Sequence, residues 1–365
     1  DLISTSNVED FVPEFYSSGY GDPSKELTTK PTVIKVAKLR VIAKDPQTNV
    51  PPDDRWKVRN ALLHDFSLMY DIIPESYRIV AGLVKVGVKE EDPNTWLPVY
   101  MDSRYLLGPE GAHVNITGKT GLATKTTYAV FLAYSALEWA RRNNERLAIV
   151  MFNVKRDDLL RLHNMPSNWE EAKRLIEQWA GNEFLAKRIM AQWNSLKEAG
   201  IDPIDKKANV KYFTYQVDPY YDKIRQQNHM LYKYGLYDLK LGELIAALYR
   251  GEEEGAEQQL NFISVYYEDK ILGKKVSSFS AMQNDWQYSS GMYGFTRSTI
   301  SAVARRLRGF LSRATKIIEK NLGNGNPIKF DNLIEGINVV QLYKLDDSEK
   351  RVVAVSYTHL TLPTN

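Results

Sequence analysis

The sequence predicts an α/β fold in which a parallel sheet carries helices and a small β-rich, barrel-like domain precedes it. Three observations on the 365 residues carry this prediction. Residues 113–142 show the pattern of a short strand, a glycine-containing loop and a helix. Residues 147–154 form a continuous apolar run, which is typical of a parallel strand covered on both faces. Residues 32–45 and 78–92 are rich in valine and isoleucine and predict strands of the preceding domain.

The length and the composition along the chain suggest how it is divided. The chain is long enough for two domains with sizeable cores. Polar, turn-rich residues 1–28 predict a flexible segment, 29–95 the β-rich domain, and 96–354 the core, with a helical insertion at about 165–205. Residues 355–364, VSYTHLTLPT, resemble the translation of a transposon-end adaptor used in preparing sequencing libraries. We therefore expect a non-native tail at 355–365; the alternative is a genuine terminal strand.

The composition is that of a globular protein, with 43% hydrophobic and 25% charged residues. No apolar run is long enough to span a bilayer and the first residues lack a signal-peptide pattern, so we expect a cytoplasmic protein that does not bind a membrane. The absence of cysteine excludes disulfides, thiolate chemistry and Cys-ligated metals. The net charge of +3 is too small to indicate nucleic-acid binding, which would need a local basic patch.

The loop GKTGLATKT at 118–126 has the build of a phosphate-binding P-loop. Its glycines let the backbone curl tightly, so that backbone N–H groups converge on a phosphate at the helix N-terminus. The usual lysine stands six positions after the first glycine, whereas Lys125 stands seven after Gly118 and Thr124 takes the place of the last glycine. The sequence therefore predicts a loop with one extra residue. In it Lys125 binds phosphate and the Thr126 hydroxyl binds Mg²⁺.

Two alternatives to this interpretation remain. In a second register, Gly118, Lys119 and Thr120 would be the Gly-Lys-Thr of the motif. That register would need a glycine at His113 and would place the lysine several residues before the helix. The other alternative is an ordinary strand-to-helix turn that happens to be rich in Gly, Thr and Lys.

The apolar run at 147–154 predicts the next strand and, with the first strand and helix, a βαβ unit. Ligands of such sheets lie at the carboxyl ends of the strands, which would place Asn153, Lys155 and Asp157 near the nucleotide. The alternative is that Lys155, Arg156 and Asp158 belong to a solvated turn.

Two helices are predicted at 167–200, separated by Gly181 and Asn182. Ser167 and Glu170 have the spacing of a capping box at the first helix. Each helix has one apolar stripe; the stripes consist of Leu175, Ile176 and Trp179, and of Leu185, Ile189, Trp193 and Leu196. The tryptophans Trp169, Trp179 and Trp193 could stack on bases, but their helical spacing favours a place in the core.

The remaining elements follow from similar patterns. Residues 209–217 predict a strand whose Tyr212 and Tyr215 are open to the same two interpretations, and 236–249 predict an amphipathic helix. Residues 297–320 predict the longest helix. Its basic face carries Arg297, Arg305, Arg306, Arg308, Arg313 and Lys316. This face could meet DNA, a neighbouring subunit or water. Residues 337–341 predict a buried strand, followed by a helix from about Asp346.

The order of these parts resembles the HerA-type ATPases of the FtsK/HerA group of DNA translocases. The resemblance rests on the β-rich start, on LPVYMDSRYLLGPEGAHVNITGKTG at 97–121, on the strand LAIVMFNV and on INVVQLYKLDDSEKRVVA at 337–354. It implies a RecA-like P-loop NTPase fold and a hexameric ring that hydrolyses ATP and moves double-stranded DNA, often with a nuclease. Lys125 would then hold the β- and γ-phosphates and Thr126 the Mg²⁺. The backbone cradle would consist of Gly118, Lys119, Thr120, Gly121, Leu122, Ala123 and Thr124.

The same resemblance places the Walker B aspartate, the adjacent catalytic glutamate and an arginine finger beyond Ala354. Magnesium and water positioning need such carboxylates, so the chain as given is expected to bind nucleotide weakly and not to turn it over. A different class of function is a nucleotide-binding regulatory or defence-system module that assembles or switches a partner without moving DNA. A third possibility is a non-enzymatic adaptor with a coincidental loop.

Overall fold

The structure, a computed structural model, describes residues 73–86, 89–108, 112–118, 124–156, 158–216, 228–249 and 254–361. The chain divides into two compact units between Arg59 and Asn60, and everything described below belongs to the second unit. The predicted flexible segment 1–28 and the predicted strand at 32–45 lie outside the described residues, as does most of the predicted barrel-like domain.

The centre of the fold is a four-stranded parallel sheet. Its strands are β3 (Ala148–Asn153), β4 (Val210–Thr214), β5 (Asn228–Leu231) and β6 (Gly336–Gln341), in the order β3-β6-β4-β5. The register pairs Ala148 with Gly336 and Asn153 with Gln341, so β3 and β6 end side by side. The predicted parallel α/β sheet is thus confirmed.

The strand β6 is buried along its whole length because it lies between two neighbours and between two helical layers. Ile337 and Val339 pack on one face of the sheet, and Val340 packs into a separate cluster on the other. Gly336 begins the strand with a φ of +133°, and a Cβ there would lie 2.3 Å from the Asn209 carbonyl oxygen. Only glycine fits this start.

Eight α-helices longer than one turn are described, besides several shorter helical elements. They are α1 (Thr124–Arg142), α2 (Trp169–Ala180), α3 (Glu183–Glu198), α4 (Leu241–Tyr249), α5 (Glu257–Tyr266), α6 (Phe279–Tyr288), α7 (Arg297–Arg313) and α8 (Asp347–Thr361). The short elements are the 3₁₀ turns Glu75–Tyr77, Pro93–Thr95, Leu236–Asp238 and Phe330–Asn332, the helical turn Ser103–Leu106 and the π-helix Tyr267–Leu272. The predicted helical insertion is the pair α2 and α3, between β3 and β4.

The helices cover both faces of the sheet. On one face, Tyr134 of α1 packs with Tyr212, Ile337 and Val339. On the other face, side chains of α4 to α8 form the largest cluster with Phe213 and Val340. The fold is therefore a three-layer arrangement of helix, sheet and helix.

A separate antiparallel hairpin lies on the far side of α1. Strands β1 (Arg78–Lys85) and β2 (Trp96–Asp102) pair with an irregularity between Val80 and Gly82. The Tyr128 hydroxyl donates to the Ala81 carbonyl at 2.9 Å, and Trp139 Nε1 donates to the Ser76 carbonyl at 2.6 Å. The helix α1 is thus held between the hairpin and the parallel sheet.

The predicted strand at 113–117 is wrong. Residues 112–118 belong to neither sheet, and Val114 is 41% exposed. A short alternating segment becomes a strand only when a neighbour takes up its backbone hydrogen bonds, and none of the described strands does so. The predicted βαβ unit before β3 is therefore not formed by the described residues.

Several predicted boundaries also differ from the structure. The helix predicted at 297–320 ends at Arg313, because Lys316 N and Ile317 N donate to the Glu349 carboxylate instead of continuing the helical pattern. The helix predicted from 236 begins at Leu241, after a 3₁₀ turn. The alternative of a terminal strand at 355–364 is wrong, since α8 continues to Thr361.

The helical insertion differs from its prediction in two respects. The cap of α2 is Asn168, whose Oδ1 accepts from Glu171 N at 2.9 Å, one position beyond the predicted Ser167 and Glu170. Trp179 is 78% exposed and not part of a core, because no other described element covers this end of α2.

Candidate phosphate-binding site

The start of α1 is the place where the structure brings predicted site residues together. The helix begins at Thr124, so Lys125 and Thr126 lie in its first turn, and both are half-buried. The N-terminus of a helix carries unpaired backbone N–H groups and the positive end of the helix dipole, both of which favour an anion. The Lys125 ammonium adds a full positive charge at the same end.

The rest of the predicted cradle is described only in part. Gly118 is exposed at the end of the extended segment 112–118. Lys119, Thr120, Gly121, Leu122 and Ala123 lie outside the described residues. Because α1 begins at Thr124, it is Lys125 and not Lys119 that occupies its first turn, which agrees with the register chosen from the sequence.

Beyond its first turn, the helix α1 packs on two sides. Val130 and Tyr134 contact the cluster on the parallel sheet, and Phe131 contacts the cluster on the hairpin. Arg141 and Arg142 stand in the last turn, where positive charge is favourable beside the negative end of the dipole.

One buried carboxyl group lies in the middle of this helix. Glu138 is 4% exposed and forms an ion pair with Arg141, and its Oε2 lies 4.0 Å from Lys206 Nζ. That Oε2 has no hydrogen-bond partner among the described residues. Burial raises the pKa of Glu138 above its ordinary value, although the neighbouring cations oppose the rise.

Asn153 was predicted to lie near the nucleotide at the carboxyl edge of the sheet. In the structure, its side-chain amide forms hydrogen bonds within the protein. Asn153 Nδ2 donates to the Arg156 carbonyl at 2.7 Å and also to Gln341 Oε1. The Asn153 carbonyl accepts from Leu342 N at 2.9 Å and from Tyr343 N at 3.1 Å. Asn153 thus joins β3 to the turn after β6.

The turn that follows β3 is exposed. Lys155, Arg156 and Asp158 all face solvent, which agrees with the alternative of a solvated turn. Asp157 lies outside the described residues. That Lys155 lies near the nucleotide stays a prediction.

Two histidine pairs on the sheet were missed by the sequence analysis. Thr214 Oγ1 lies 2.6 Å from His229 Nε2, and Tyr212 Oη lies 2.8 Å from His163 Nδ1. His163 N also donates to the Tyr212 hydroxyl at 3.2 Å. Burial correspondingly lowers the pKa of His163 and raises the pKa of Tyr212 to about 12.

Nothing in the sequence marks these pairs, because partners that stand 49 and 15 residues apart meet only through the fold. Both pairs are partly buried and mutually satisfied, so they join elements and do not present free groups.

The described residues contain no group of three or more His, Asp or Glu side chains placed to hold a metal ion. Across the part of the chain that the structure describes, no helix combines the length and the apolar character needed to cross a bilayer. The sequence matches no protein-family model and shows no significant match to a curated protein.

Proposed function

We propose that this chain is a RecA-like P-loop ATPase that binds ATP and Mg²⁺ at the start of α1. The observation that carries the proposal is that α1 begins directly after the glycine-rich segment, with Lys125 and Thr126 in its first turn. A lysine and a hydroxyl at a helix N-terminus, following glycines and beside a parallel sheet, suit a triphosphate and its magnesium ion.

In this proposal the residues have distinct roles. Lys125 binds the β- and γ-phosphates, Thr126 ligates Mg²⁺, and the backbone of 118–124 cradles the phosphates. Catalysis of this kind depends on positioning and on neutralising developing negative charge. The packing of α1 on both sides supports this role because it fixes the direction of the first turn.

We extend the proposal to an ATP-dependent translocase of double-stranded DNA that works as a homo-oligomeric ring in the cytoplasm, with a nuclease as a candidate partner. This part rests on the resemblance to HerA-type ATPases. The parallel order of β3, β6 and β4 and the strand-turn-helix of β6 and α8 are compatible with it.

The first test is nucleotide binding by the Lys125→Ala variant. Charge-assisted hydrogen bonds contribute about 1.5–3 kcal/mol, so we expect the dissociation constant of a fluorescent ATP analogue with Mg²⁺ to rise about 10-fold to 100-fold. Lys173→Ala is the matched control, since Lys173 is exposed on α2 in the helical insertion. Equal affinities of the two variants, or no binding by the unaltered chain, would contradict the phosphate site.

A second test separates a motor from a switch. ATP hydrolysis is measured with and without duplex DNA in a chain that carries the Walker B aspartate and glutamate implied by the resemblance. Hydrolysis that DNA stimulates and Lys125→Ala abolishes is the result expected of a translocase. Hydrolysis that DNA leaves unchanged would instead indicate the regulatory or defence-system module.

A further inference from the structure

A second anion site is indicated where α7 passes α4 and α5. A concavity of about 590 Å³ lies there, and no residue of α1 lines it. Its polar lining consists of Tyr249, Gln259, Arg305, Arg306 and Arg313, and we name it the arginine pocket. Gly309 lies on the same wall, where the lack of a side chain leaves the helix accessible.

The groups that this pocket offers to a ligand are hydrogen-bond donors. The three arginine guanidinium groups can only donate. Gln259 Oε1 accepts from the Tyr249 hydroxyl at 2.9 Å, and the amide nitrogen of Gln259 can donate to a ligand. A concave surface with several donors and three positive charges is complementary to an anion.

Part of this positive charge is held in place before any ligand binds. The Arg306 guanidinium carbon lies 4.3 Å from the centre of the Tyr249 ring, and Tyr249 is completely buried. Arg313 Nε lies 4.0 Å from Asp346 Oδ1, a long ion pair that leaves guanidinium donors available. No other carboxylate among the described residues forms an ion pair with Arg305, Arg306 or Arg313.

The shape of the pocket favours a polymer over a small molecule. Small-molecule sites are enclosed and largely apolar, whereas Arg305 and Arg313 are exposed. Because these two arginines are eight residues apart on α7, they span about 12 Å along the helix. Arg306 covers the Tyr249 ring, so that ring offers no free face for a base. A row of guanidinium groups without an aromatic platform suits consecutive backbone phosphates.

We infer that the arginine pocket binds the phosphate backbone of duplex DNA without reading its sequence. The choice of DNA rests on the proposed function, while the anion site itself rests on the arginine pocket alone. The remaining arginines of α7 are not needed for this role: Arg308 donates to Gln287 Oε1 at 3.1 Å, and Arg297 does not line the pocket.

The test is the salt dependence of DNA binding by a triple variant, Arg305→Gln, Arg306→Gln and Arg313→Gln. Each lost phosphate contact lowers the slope of log K against log salt by about 0.9. We therefore expect the unaltered chain to lose about 40-fold more affinity than the variant between about 50 and about 200 mM salt. The probe is a labelled duplex of random sequence, measured by fluorescence anisotropy.

The control removes the same number of positive charges from the helical insertion, in Lys173→Gln, Arg174→Gln and Lys187→Gln. These side chains are exposed, so the control should keep the slope of the unaltered chain. Circular dichroism establishes that both variants fold. If loss of the Arg306 contact with Tyr249 unfolds the triple variant, the pair Arg305→Gln and Arg313→Gln should still lower the slope by about 2.

Three outcomes would overturn the inference. The first is an unchanged slope of log K against log salt in the folded arginine variants. The second is a control variant whose slope falls as much as that of the arginine variants. The third is competition by poly-glutamate as strong as by DNA, which would indicate an acidic protein partner. The Lys125→Ala variant distinguishes the proposed nucleotide site from the proposed DNA contact in the arginine pocket. It should lose nucleotide binding and keep the salt slope, whereas the arginine variants should keep nucleotide binding and lose the slope.

Discussion

At the scale of single residues, the molecule contains a carboxyl group whose surroundings do not fully satisfy it. Glu138 is buried on α1, with an ion pair on one side and an Oε2 that lacks a hydrogen-bond partner among the described residues. Its raised pKa means that the folded chain holds the proton more tightly than the unfolded chain does. The ionised form therefore costs the folded state free energy, and this cost grows as the pH rises above the ordinary pKa.

We expect Glu138→Gln to stabilise the protein at neutral pH by up to about 1 kcal/mol, because the amide keeps the shape and removes the buried charge. The difference from the unaltered chain should shrink as the pH falls through the raised pKa and vanish below the ordinary value of about 4.5. Urea denaturation at several pH values measures this difference. Glu145→Gln, at an exposed position after the same helix, should show no such change. If Glu138→Gln were less stable than the unaltered chain at every pH, the ion pair with Arg141 would contribute more to stability than burial of the charge costs.

The exposure of each tryptophan side chain also decides how much it contributes to the stability of the fold. Trp179 is 78% exposed, whereas Trp286 is 1% exposed among aromatic neighbours. We expect Trp179→Gln to change the free energy of unfolding by about 0.5 kcal/mol or less, and Trp286→Ala to lower it by about 3–5 kcal/mol. Thermal unfolding of the two variants side by side checks this contrast. A large loss in Trp179→Gln would show that another part of the chain covers this side chain in solution.

At the scale of elements, one buried carboxylate joins the end of α7 to the start of α8. Glu349 Oε2 accepts from Asp346 N at 3.0 Å, and Asp346 Oδ1 accepts from Ser348 N at 2.9 Å, and these two hydrogen bonds cap the start of α8. Glu349 Oε1 accepts from Lys316 N at 2.8 Å and from Ile317 N at 3.1 Å. The same side chain thus begins one helix and binds the segment that leaves the other.

We expect Glu349→Ala to lower the free energy of unfolding by about 3 kcal/mol, because it leaves one buried and two partly buried N–H groups without an acceptor. Glu349→Gln should cost less, since the amide retains one oxygen. Glu257→Ala, at an exposed position in the first turn of α5, is the matched control and should cost about 0.5 kcal/mol. Urea denaturation gives these values. Equal losses in Glu349→Ala and Glu257→Ala would refute this role.

The strands of the sheet and the end of α7 show which elements could be predicted from the sequence and which could not. The apolar runs at 147–154 and 337–341 predicted the strands β3 and β6. Strands buried on both faces need unbroken apolar sequence, and β6 is such a strand, whereas β3 is mostly half-buried at the edge of the described sheet. The end of α7 could not be predicted, because it depends on Glu349, which lies 33 residues from Lys316. Helical spacing identified the stripe that includes Trp179 but not whether anything covers it.

The candidate site was predictable to a similar degree. Glycines followed by a helical pattern placed Lys125 in the first turn of a helix, because both signals are local. The role of Asn153 was not predictable, since its hydrogen-bond partner Gln341 lies 188 residues away. The segment 112–118 was misread because alternation shows which side chains could share a face but cannot show whether a neighbouring strand exists.

At the scale of the whole molecule, the parallel sheet depends on β6, which is the last of its described strands along the chain. The order β3-β6-β4-β5 places β6 between β3 and β4, and β3 has no other neighbour among the described strands. We expect the amides of β6 to exchange with deuterium more slowly than those of β1, because β6 is buried throughout and β1 belongs to a two-stranded hairpin. Hydrogen-exchange mass spectrometry checks this order. Faster exchange in β6 would mean that the sheet is not the most stable part of the fold.

The position of β6 also limits how the protein can be made in the cell. A ribosome releases β3 and β4 long before Gly336, so the nascent polypeptide must wait with two unmatched strand edges until translation reaches Gln341. Such edges invite aggregation during synthesis, and chaperones that shield them would improve the yield. The slow step in producing this molecule should therefore be the late insertion of one strand between two that already exist.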